Sequence, residues 1–575
     1  MGRSMSPRMA ALLVGGVLGL VVLVAVGASL LAGPTSPGTS IGTSANPSGG
    51  ANPSASTNPS EIAANPSQSP AATASPDASP TPSGPPRQRA LADREIFGFL
   101  PYWNLGQPDT QVPLDELTTI AIFGVEAGKD GTLISKTAAG ATPQGWTAWK
   151  SATTTDLIRN AHAKHDRVVL TIQRFSWTAG EARKTDALLS DPANRSTLAK
   201  AIATEVTGRG ADGVNLDFEP LPSEVRDQYT AFVRELRVQL DKAKPGLQLT
   251  FDTTASVGGW DLAALTADDA ADAVVILGYD YRVADAAVAG SVDPKVATTF
   301  GGGLTDTLNA ALDHVRPDRA ILGLPWYGRA WSTFSDSAGS ATLDQKTYGN
   351  SVTTEYGDAI ALARAHGRNY DPDEASAWTA YRKKDCATCP ETWRQLWYDD
   401  VDSMKAKQQL IVELGMRGLG IWVLGYDHAL PDLWATVRFS FGDVVDSQAP
   451  SGTARVDPAA VTQKHGSLPV VGTTLNLRMT ADDGKNGSGA VFVRVSATSD
   501  LGVDFSFVTG ITYPLDPAIP SLSVPLADPR LGGGFAKGQA TVSVQWRDIA
   551  GNWSAPVSVA FWLPAAVSAA PSPLP

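Results

Sequence analysis

The chain has 575 residues, of which 43% are hydrophobic, so it is long enough for several domains and a large core. Its formal net charge is -12 at pH 7, which argues against a nucleic-acid partner, because phosphate binding needs basic patches. With 6 His, 2 Cys, no His-x-His and no second Cys-x-x-Cys, the chain is not expected to hold a structural zinc ion.

The N-terminus predicts an export signal. Residues 9–32 form an uncharged apolar run that follows Arg3 and Arg8. About 20 such residues span a bilayer, so residues 1–32 are predicted to be either a signal peptide or an uncleaved signal anchor. In both cases the positive end stays in the cytoplasm. We therefore expect the rest of the chain to be extracytoplasmic, either secreted or anchored to the membrane at the cell surface.

Residues 33–92 predict a disordered linker. The segment is rich in Pro, Ser, Ala, Thr and Asn, and Ala-Asn-Pro-Ser recurs at positions 45, 51 and 64. Such a composition cannot bury a core, and proline keeps it stretched. It is either a passive spacer or a tether that lets a catalytic domain reach into a cell wall.

Residues 93–442 predict an α/β fold, a (β/α)8 barrel. Short apolar runs alternate with helical segments such as 197–206 and 224–240. The active site of such a barrel lies at the carboxyl ends of its strands. The eight candidate strands are 96–101, 118–123, 167–172, 213–218, 247–253, 273–277, 320–324 and 418–423.

The fourth candidate strand carries a cluster of acids. Residues 212–219 are Asp-Gly-Val-Asn-Leu-Asp-Phe-Glu. Side chains alternate along a strand, so Asn215, Asp217 and Glu219 share one face. Two carboxylates on one face repel each other, and one should keep its proton to a higher pH, as acid/base chemistry needs. Asp212 is out of phase, and we expect it to lie deeper and support Asp217 from below.

The pattern Asp-x-x-Asn-x-Asp-x-Glu resembles the signature of family 18 glycoside hydrolases, Asp-x-x-Asp-x-Asp-x-Glu. Asn215 replaces the second Asp, a variant similar to the bacterial branch of spore-cortex and peptidoglycan N-acetylglucosaminidases. Four further elements resemble the family's strand ends in the right order. They are Phe-Gly-Phe-Leu-Pro-Tyr-Trp (97–103), Leu-Gly-Tyr-Asp-Tyr (277–281), Gly-Leu-Pro-Trp-Tyr-Gly-Arg (323–329) and Gly-Ile-Trp-Val-Leu-Gly-Tyr-Asp (420–427).

The resemblance implies substrate-assisted hydrolysis, in which the N-acetyl oxygen of the substrate attacks the anomeric carbon. Such a reaction requires no metal and no organic cofactor. Glu219 would then be the general acid, Asp217 would hold the acetamido N–H, and Tyr279 would donate to the acetamido carbonyl. Asn215 is neutral, so one negative charge is missing beneath Asp217. The expected consequence is an altered pH profile rather than lost activity.

The resemblance also implies the rest of the site. Trp422 would form the floor under the reactive sugar, and Asp280 would brace the same sugar. Asp212 and Asn215 would form a supporting shell. The expected substrate-binding residues are Asp280, Trp422, Tyr327, Trp326 and Tyr102.

The implied substrate is a β-linked polymer that contains N-acetylglucosamine. Residues 170–177 lack the Ser-x-Gly-Gly of true chitinases. This departure, the tether and Asn215 favour peptidoglycan, with chitin possible. The alternatives are a non-catalytic, lectin-like barrel and an adhesion protein. We expect a monomer.

Two further features lie outside the barrel core. In an exported chain, Cys386 and Cys389 predict a local disulfide rather than redox chemistry. Residues 447–564 show alternating strands such as 490–496 and 541–546, which predict an immunoglobulin-like sandwich acting as a spacer or polysaccharide binder. Residues 565–575 are expected to form a flexible tail.

Overall fold

The computed structural model describes residues 94–298, 301–442, 444–497, 510–532 and 534–569. The predicted membrane segment (1–32) and linker (33–92) lie outside these residues. Within the described ranges, no helix combines the length and apolar character needed to cross a bilayer.

Eight parallel strands close into a barrel in the order β1-β2-β3-β4-β5-β6-β7-β13. Every strand predicted for the barrel is confirmed, and the ends differ by a few residues at most. The barrel strands are β1 (Glu95–Pro101), β2 (Thr119–Glu126), β3 (Arg167–Phe175), β4 (Gly213–Glu219), β5 (Gln248–Thr253), β6 (Ala273–Leu277), β7 (Ala320–Pro325) and, after an insertion, β13 (Gly418–Trp422).

Helices connect and surround these strands, as the alternating pattern predicts. They are α1 (Gln144–Trp149), α2 (Ala152–Ala163), α3 (Ala179–Ser190), α4 (Pro192–Arg209), α5 (Arg226–Ala243), α6 (Leu262–Leu265), α7 (Leu304–Leu312), α8 (Gln345–Tyr348), α9 (Tyr356–His366), α10 (Val401–Glu413) and α11 (Asp432–Phe441).

Local sequence signals fix where α4 ends and β4 begins. The Asp191 side chain accepts from the Ala193 N–H and caps α4, whose first residue is proline. Gly210 ends α4 in the left-handed conformation (φ 70°). At Gly213, a Cβ would lie 2.1 Å from the Gln248 carbonyl oxygen, so only glycine lets β4 pair this closely with β5. The acidic segment is therefore placed in register by its flanking residues.

The barrel has an outer and an inner hydrophobic core. Val214, Leu216 and Phe218 point outward into the layer between barrel and helices. The Phe218 ring stacks on Phe232 of α5, with centroids 5.9 Å apart. The inner core contains Phe97, Phe99, Phe123, Val169 and Val275, and partly buried Tyr279 and Trp422 pack against it. The inner face of β4 thus opens toward an aromatic-lined interior.

An antiparallel sheet is inserted between β7 and β13. It has the order β10-β11-β12-β8-β9 and follows directly after β7. Its strands are β8 (Tyr327–Thr333), β9 (Val352–Glu355), β10 (Asn369–Asp371), β11 (Ser376–Lys383) and β12 (Thr392–Tyr398). The turn between β11 and β12 contains the expected disulfide between Cys386 and Cys389.

The C-terminal region consists of antiparallel sheets with their own hydrophobic core. The larger sheets have the orders β14-β17-β20 and β19-β18-β22-β23. Their strands are β14 (Ser451–Val456), β17 (Thr474–Asp482), β18 (Ala490–Ala497), β19 (Ile511–Pro514), β20 (Ser521–Pro525), β22 (Gly538–Asp548) and β23 (Val557–Leu563). Small two-stranded sheets join β15 (Lys464–His465) with β16 (Leu468–Pro469) and β21 (Gly534–Phe535) with β24 (Val567–Ser568).

Strand β24 corrects the predicted flexible tail. The sequence places the start of that tail at residue 565, yet Val567 is buried and pairs with Phe535. The apolar Val567 side chain covers the edge of the C-terminal core, which a composition rich in Ala, Pro and Ser does not reveal.

Buried charges fasten the C-terminal region to the barrel. The Arg368 guanidinium donates to Asp400 (2.5 Å) and Asp402 (2.7 Å) at the start of α10. It also lies 4.6 Å from the ring centre of Phe492 in β18, and Arg547 of β22 lies 4.7 Å from the same ring. Arg547 forms an ion pair with Asp402 as well. Opposite charges and an aromatic ring thus share one enclosed contact.

This contact predicts that Arg368→Met destabilises the protein strongly. The Asp400 side chain is 1% exposed and would lose its guanidinium partner, at a cost of about 3–5 kcal/mol. Equilibrium urea unfolding measures the change. The control is Arg316→Met, because the Arg316 pair with Asp318 is exposed and its loss should stay within about 0.5 kcal/mol. Equal losses in both variants would contradict the structural role of this contact.

Candidate active site

The inner face of β4 carries the three polar residues predicted to face together. Asn215 is 0% exposed and Asp217 is 3% exposed, so both lie inside the barrel. Glu219 is the last residue of the strand and is partly exposed at its open end. The alternation of a strand therefore places an amide, a buried carboxyl and a more accessible carboxyl one above the other.

Burial and like charge keep protons on these acids. Burial raises the pKa of Glu219 well above its ordinary value, and the neighbouring Asp217 and Asp280 carboxylates raise it further. Burial also raises the pKa of Asp217, and Asp252 adds to the increase. The expected repulsion between adjacent acids is present, but desolvation is the larger cause.

Asp252 of β5 is a site residue that the sequence analysis missed. Asn215 pairs with Thr250 and Leu216 with Phe251 in the β4–β5 register, so the next step brings Asp217 beside Asp252. The Asn215 amide donates to Asp252 Oδ2 (2.7 Å), and the Thr250 hydroxyl donates to Asn215 Oδ1 (2.7 Å). An ionisable residue inside a predicted barrel strand was the available signal. Strand β5 thus places a carboxyl beside Asp217, where Asn215 of β4 provides none.

Asp212 does not support Asp217, contrary to the prediction. Its carboxylate lies 2.7 Å from the His162 ring nitrogen and accepts from the Val168 N–H at 2.9 Å. Asp212 shares the phase of Val214 and the other outward residues, so its side chain binds α2 and β3 outside the barrel. The alternation was noted correctly, but the outward direction was not deduced from it.

Tyr279 and Asp280 follow β6 at the same end of the barrel. Burial raises the pKa of Tyr279 well above its ordinary value, and Glu219 is the largest of several charges that add to this. Its hydroxyl therefore stays a donor. Asp280 is exposed and has φ 60°, and its Oδ1 accepts from the Tyr327 hydroxyl (2.6 Å). Tyr327 thus orients Asp280 at the mouth of the barrel.

Trp422 ends β13 among aromatic side chains. Its ring centre lies 5.0 Å from Phe123, 5.4 Å from Phe99 and 6.4 Å from Tyr279. The indole remains partly exposed, as a sugar-stacking platform requires. Tyr102 follows β1, is partly exposed, and contacts Trp103 edge to face at 4.8 Å.

Trp326 lies away from this aromatic group. Its side chain is 1% exposed and packs in the outer core, edge to face with Trp434 of α11 at 4.9 Å. Trp326 and Tyr327 are consecutive, so their side chains diverge to opposite sides of the chain. Trp326 offers no surface to a sugar, whereas Tyr327 packs against Tyr279. The substrate-binding role predicted for Trp326 has no support in this position.

A buried ion network supports the segment after β6. Lys407 of α10 is fully buried and lies 2.7 Å from Asp293 and 2.6 Å from Asp399. Nearby, Glu374 receives two hydrogen bonds from Arg282 (2.6 and 2.8 Å). Asp293 and Arg282 both belong to the chain that follows Tyr279. The insertion and α10 therefore hold this segment in place through paired charges.

The described residues contain one group of acids close enough to share a cation, and it lies in the C-terminal region. Carboxylate oxygens of Asp446, Asp483 and Asp548 lie within 4.8 Å of one another. Each already accepts a backbone N–H, from Ser488 (2.7 Å), Gly489 (2.6 Å) and Gly551 (2.7 Å) respectively. Through these hydrogen bonds the three carboxylates hold the backbone of the surrounding loops in place, which explains why they lie together. The expectation that no metal is bound stays a prediction.

Comparison with known sequences finds one family across the barrel. The model of glycosyl hydrolases family 18 matches residues 95–427, which is more than half of the chain. The match spans the acidic strand, Tyr279, Asp280 and Trp422.

Curated relatives are distant. The sporulation-specific glycosylase YdhD of Bacillus subtilis is 24% identical over 257 residues, covering 44% of this chain and 56% of that protein. The chain thus spans little more than half of that relative. The cortical fragment-lytic enzyme of Bacillus subtilis is 24% identical (57% of this chain, 69% of that protein). Di-N-acetylchitobiase of Rattus norvegicus is 26% identical (49% and 79%).

Solved structures share the fold. A family 18 chitinase from Cycas revoluta in complex with (GlcNAc)4 aligns with a TM-score of 0.51 at 18% identity, covering 60% of this chain and all of that one (100%). Chitinase ChiW from Paenibacillus aligns with a TM-score of 0.54 at 14% identity, covering 82% and 56%. Identities this low establish the shared architecture alone.

The buried acids predict a stability gain when one of them is neutralised. The pKa of Asp217 is raised on folding, so the folded chain holds its proton more tightly, and Asp217 destabilises the fold as the pH rises above about 4, the ordinary Asp value. Asp217→Asn should therefore raise the melting temperature at pH 7, and the gain should shrink as the pH approaches about 4.

Thermal unfolding between about pH 4 and 8 checks this sign. Asp285→Asn is the control, because Asp285 is exposed on the loop after β6 and its replacement should give no such trend. A gain for Asp217→Asn that is the same at every pH would contradict the raised pKa.

Proposed function

The chain belongs to glycosyl hydrolases family 18, and from this premise we propose that it is a retaining glycosidase that cleaves β-linked polymers of N-acetylglucosamine. The observation that carries the proposal is the pairing of Glu219, a carboxyl of raised pKa at the open end of β4, with the deeper Asp217. Tyr279 and Trp422 converge on the same end of the barrel.

Hydrolysis begins with a proton transfer from Glu219 to the glycosidic oxygen. The acetamido carbonyl oxygen of the substrate attacks the anomeric carbon as the bond to the leaving sugar breaks, and a cyclic oxazolinium ion forms. The Glu219 carboxylate then takes a proton from water, whose oxygen opens the ring at the same carbon. Two displacements at that carbon retain its configuration.

The electrostatics fit these two roles. Burial and the neighbouring acids keep the pKa of Glu219 high, so the acid form persists toward neutral pH, where an ordinary Glu is ionised. Asp217 lies one step deeper, where its carboxylate can accept the acetamido N–H and stabilise positive charge. The raised pKa of Tyr279 keeps its hydroxyl a donor for the acetamido oxygen.

The surrounding side chains would hold the sugar. Trp422 presents a partly exposed indole as the floor of the reactive subsite. Asp280, oriented by the Tyr327 hydroxyl, would brace the same sugar through its free oxygen. Tyr102 lies at the end of β1 and would contact a neighbouring unit. No cofactor is required by this chemistry.

We favour peptidoglycan over chitin as the polymer. Two of the relatives are named as a cortical fragment-lytic enzyme and a sporulation-specific glycosylase, whereas others are named as chitobiases and chitinases. The export signal and the tether that the sequence predicts would suit a substrate in the cell wall. Under this proposal the protein works outside the cytoplasm as a monomer, either anchored by residues 1–32 or secreted.

For the C-terminal sheets we propose an immunoglobulin-like sandwich that spaces and stabilises the barrel. Its contact with α10 through Arg368 and Phe492 supports a stabilising part. The second candidate function is a lectin-like barrel that binds the glycan without cleaving it. The intact acid pair and Tyr279 favour hydrolysis over binding alone.

Glu219→Gln should abolish hydrolysis. The amide cannot supply a proton, and loss of a general acid costs about 10²- to 10⁴-fold in rate. Release of reducing ends from purified peptidoglycan and from chitin measures the loss in a soluble chain of residues 89–575. Glu224→Gln, an exposed glutamate five positions further on, is the matched control and should keep full activity.

The outcomes of this experiment separate the proposals. Cleavage of peptidoglycan that disappears in Glu219→Gln supports the favoured substrate, and cleavage of chitin alone overturns that choice but keeps the mechanism. Binding to either polymer without cleavage by the unmodified chain would favour the lectin-like barrel.

Tyr279→Phe should lower kcat more than it changes KM. In the proposed mechanism the hydroxyl bonds the acetamido oxygen as that atom attacks, so its loss should cost transition-state stabilisation of about 10²- to 10³-fold. Steady-state kinetics on a chromogenic N-acetylglucosamine oligomer measure both constants. A rise in KM with unchanged kcat would instead assign Tyr279 to ground-state binding.

A further inference from the structure

We infer that Asp252 is the partner with which Asp217 shares one proton, so that β5 supplies the carboxylate that the family pattern places at position 215 of β4. This positioning role rests on the proposed function, because it concerns how Asp217 is prepared for the acetamido group. Asp252 acts through Asp217 and does not contact the sugar in this assignment.

The register of two neighbouring strands places the two acids side by side. Asn215 lies opposite Thr250, and Leu216 lies opposite Phe251. One further step sets Asp217 beside Asp252, on strands about 4.8 Å apart, with both side chains directed into the barrel. Their exposures of 3% and 1% leave solvent no access to screen them. The pair is therefore a fixed feature of the β4–β5 ladder.

Each of the two acids has one carboxyl oxygen without a hydrogen-bond donor among the described residues. Asp217 Oδ1 and Asp252 Oδ1 are both buried, and neither has a hydrogen-bond partner among the described residues. Two ionised carboxylates so placed would repel each other and leave both oxygens unpaired, at a cost of several kcal/mol in an apolar interior. One proton held between the two carboxyls removes the repulsion and satisfies both oxygens together.

Asn215 holds the Asp252 side chain in its orientation. Its amide donates to Asp252 Oδ2, and its own oxygen accepts from Thr250, so Asp252 cannot turn away from Asp217. An aspartate at position 215 would bring a third carboxylate against Asp252 and remove this donor. Asn215 in β4 and Asp252 in β5 therefore depend on each other.

The groups that face the pair are acids and phenols. Glu219 lies above it on β4, Tyr279 and Asp280 come from the end of β6, and Tyr229 of α5 lies behind β4. Burial raises the pKa of both Asp217 and Asp252. The Asp252 charge raises the pKa of Asp217 further. The Glu219 charge raises the pKa of Asp252, against the lowering effect of the Asn215 hydrogen bond. Among the causes of those two pKa shifts there is no cation of the described chain, so a proton is the available counter-charge.

The shared proton gives Asp217 two states. Without substrate, the proton bridges Asp217 and Asp252. When an acetamido N–H approaches, Asp217 becomes its acceptor, and the proton stays on Asp252. No bond to the substrate is made or broken in this exchange, and the total charge of the pair remains one negative charge.

Asp252→Asn tests the pair directly. Without Asp252 to stabilise its ionised form through the shared proton, Asp217 should take up a proton more readily, so the acid limb of the kcat/KM profile should move up by about one pH unit. Infrared difference spectroscopy at pH 7 should show that the variant has lost one protonated carboxyl band. An unmoved acid limb together with an unchanged carboxyl band would overturn the shared proton.

The exchange variant Asn215→Asp/Asp252→Asn provides a second test if the single variant does not fold. The new amide at 252 can donate to the new carboxylate at 215, so the hydrogen bond is kept and the charge moves to β4. The exchange should restore the carboxyl band and shift the acid limb back toward the original. An exchange more impaired than Asn215→Asp alone would overturn the dependence between these positions.

The infrared measurement separates this inference from the proposed function. If the unmodified chain cleaves neither polymer, the proposed function fails, yet loss of the carboxyl band in Asp252→Asn would still establish the shared proton. Thr253→Val is the matched control, because its buried hydroxyl has no hydrogen-bond partner in the part of the chain that the structure describes and alternates to the other side of β5. It should leave the band and the profile unchanged.

Discussion

The burial of like charges inside the barrel is the constraint on which the site depends. Asp217 and Asp252 are buried on adjacent strands and Glu219 lies above them at the open end of β4, and no cation of the described residues is among the causes of their pKa shifts. Such a group is tolerated only because protons take the place of counter-ions. A glycosidase uses the same protons. Glu219 gives one to the leaving oxygen, and Asp217 and Asp252 share the other. Function and instability therefore arise from the same residues.

The rest of the molecule keeps that group in place. Outward residues of β4 pack on α5, so the strand cannot slip and expose its acids without losing the outer core. The insertion and α10 hold the chain after β6 through the buried pairs of Lys407, and the C-terminal sheets hold α10 through Arg368. These paired charges hold the mouth of the barrel in place, because removing one partner would leave the other charge buried and unpaired.

The number of consecutive residues that a sequence pattern covers explains how much of the fold and of the site could be predicted. The barrel strands, the inward face of Asn215, Asp217 and Glu219 and the bond between Cys386 and Cys389 all rest on patterns a few residues long, and the structure contains them. Asp212 was misplaced because alternation gives two faces but does not say which one is the interior. Trp326 was misplaced for the same reason, since adjacent residues at a strand end diverge.

Periodicity and motif spacing are local properties of the chain, and they were enough to predict the order of strands and helices, the acidic strand, and the family to which the barrel belongs. Three contacts became visible in the folded chain alone: Asp252 stands beside Asp217, two aspartates neutralise Lys407, and Arg368 joins α10 to β18. These partners lie far apart in sequence or on separate strands. Their contacts are fixed by register and by packing, neither of which a local pattern contains.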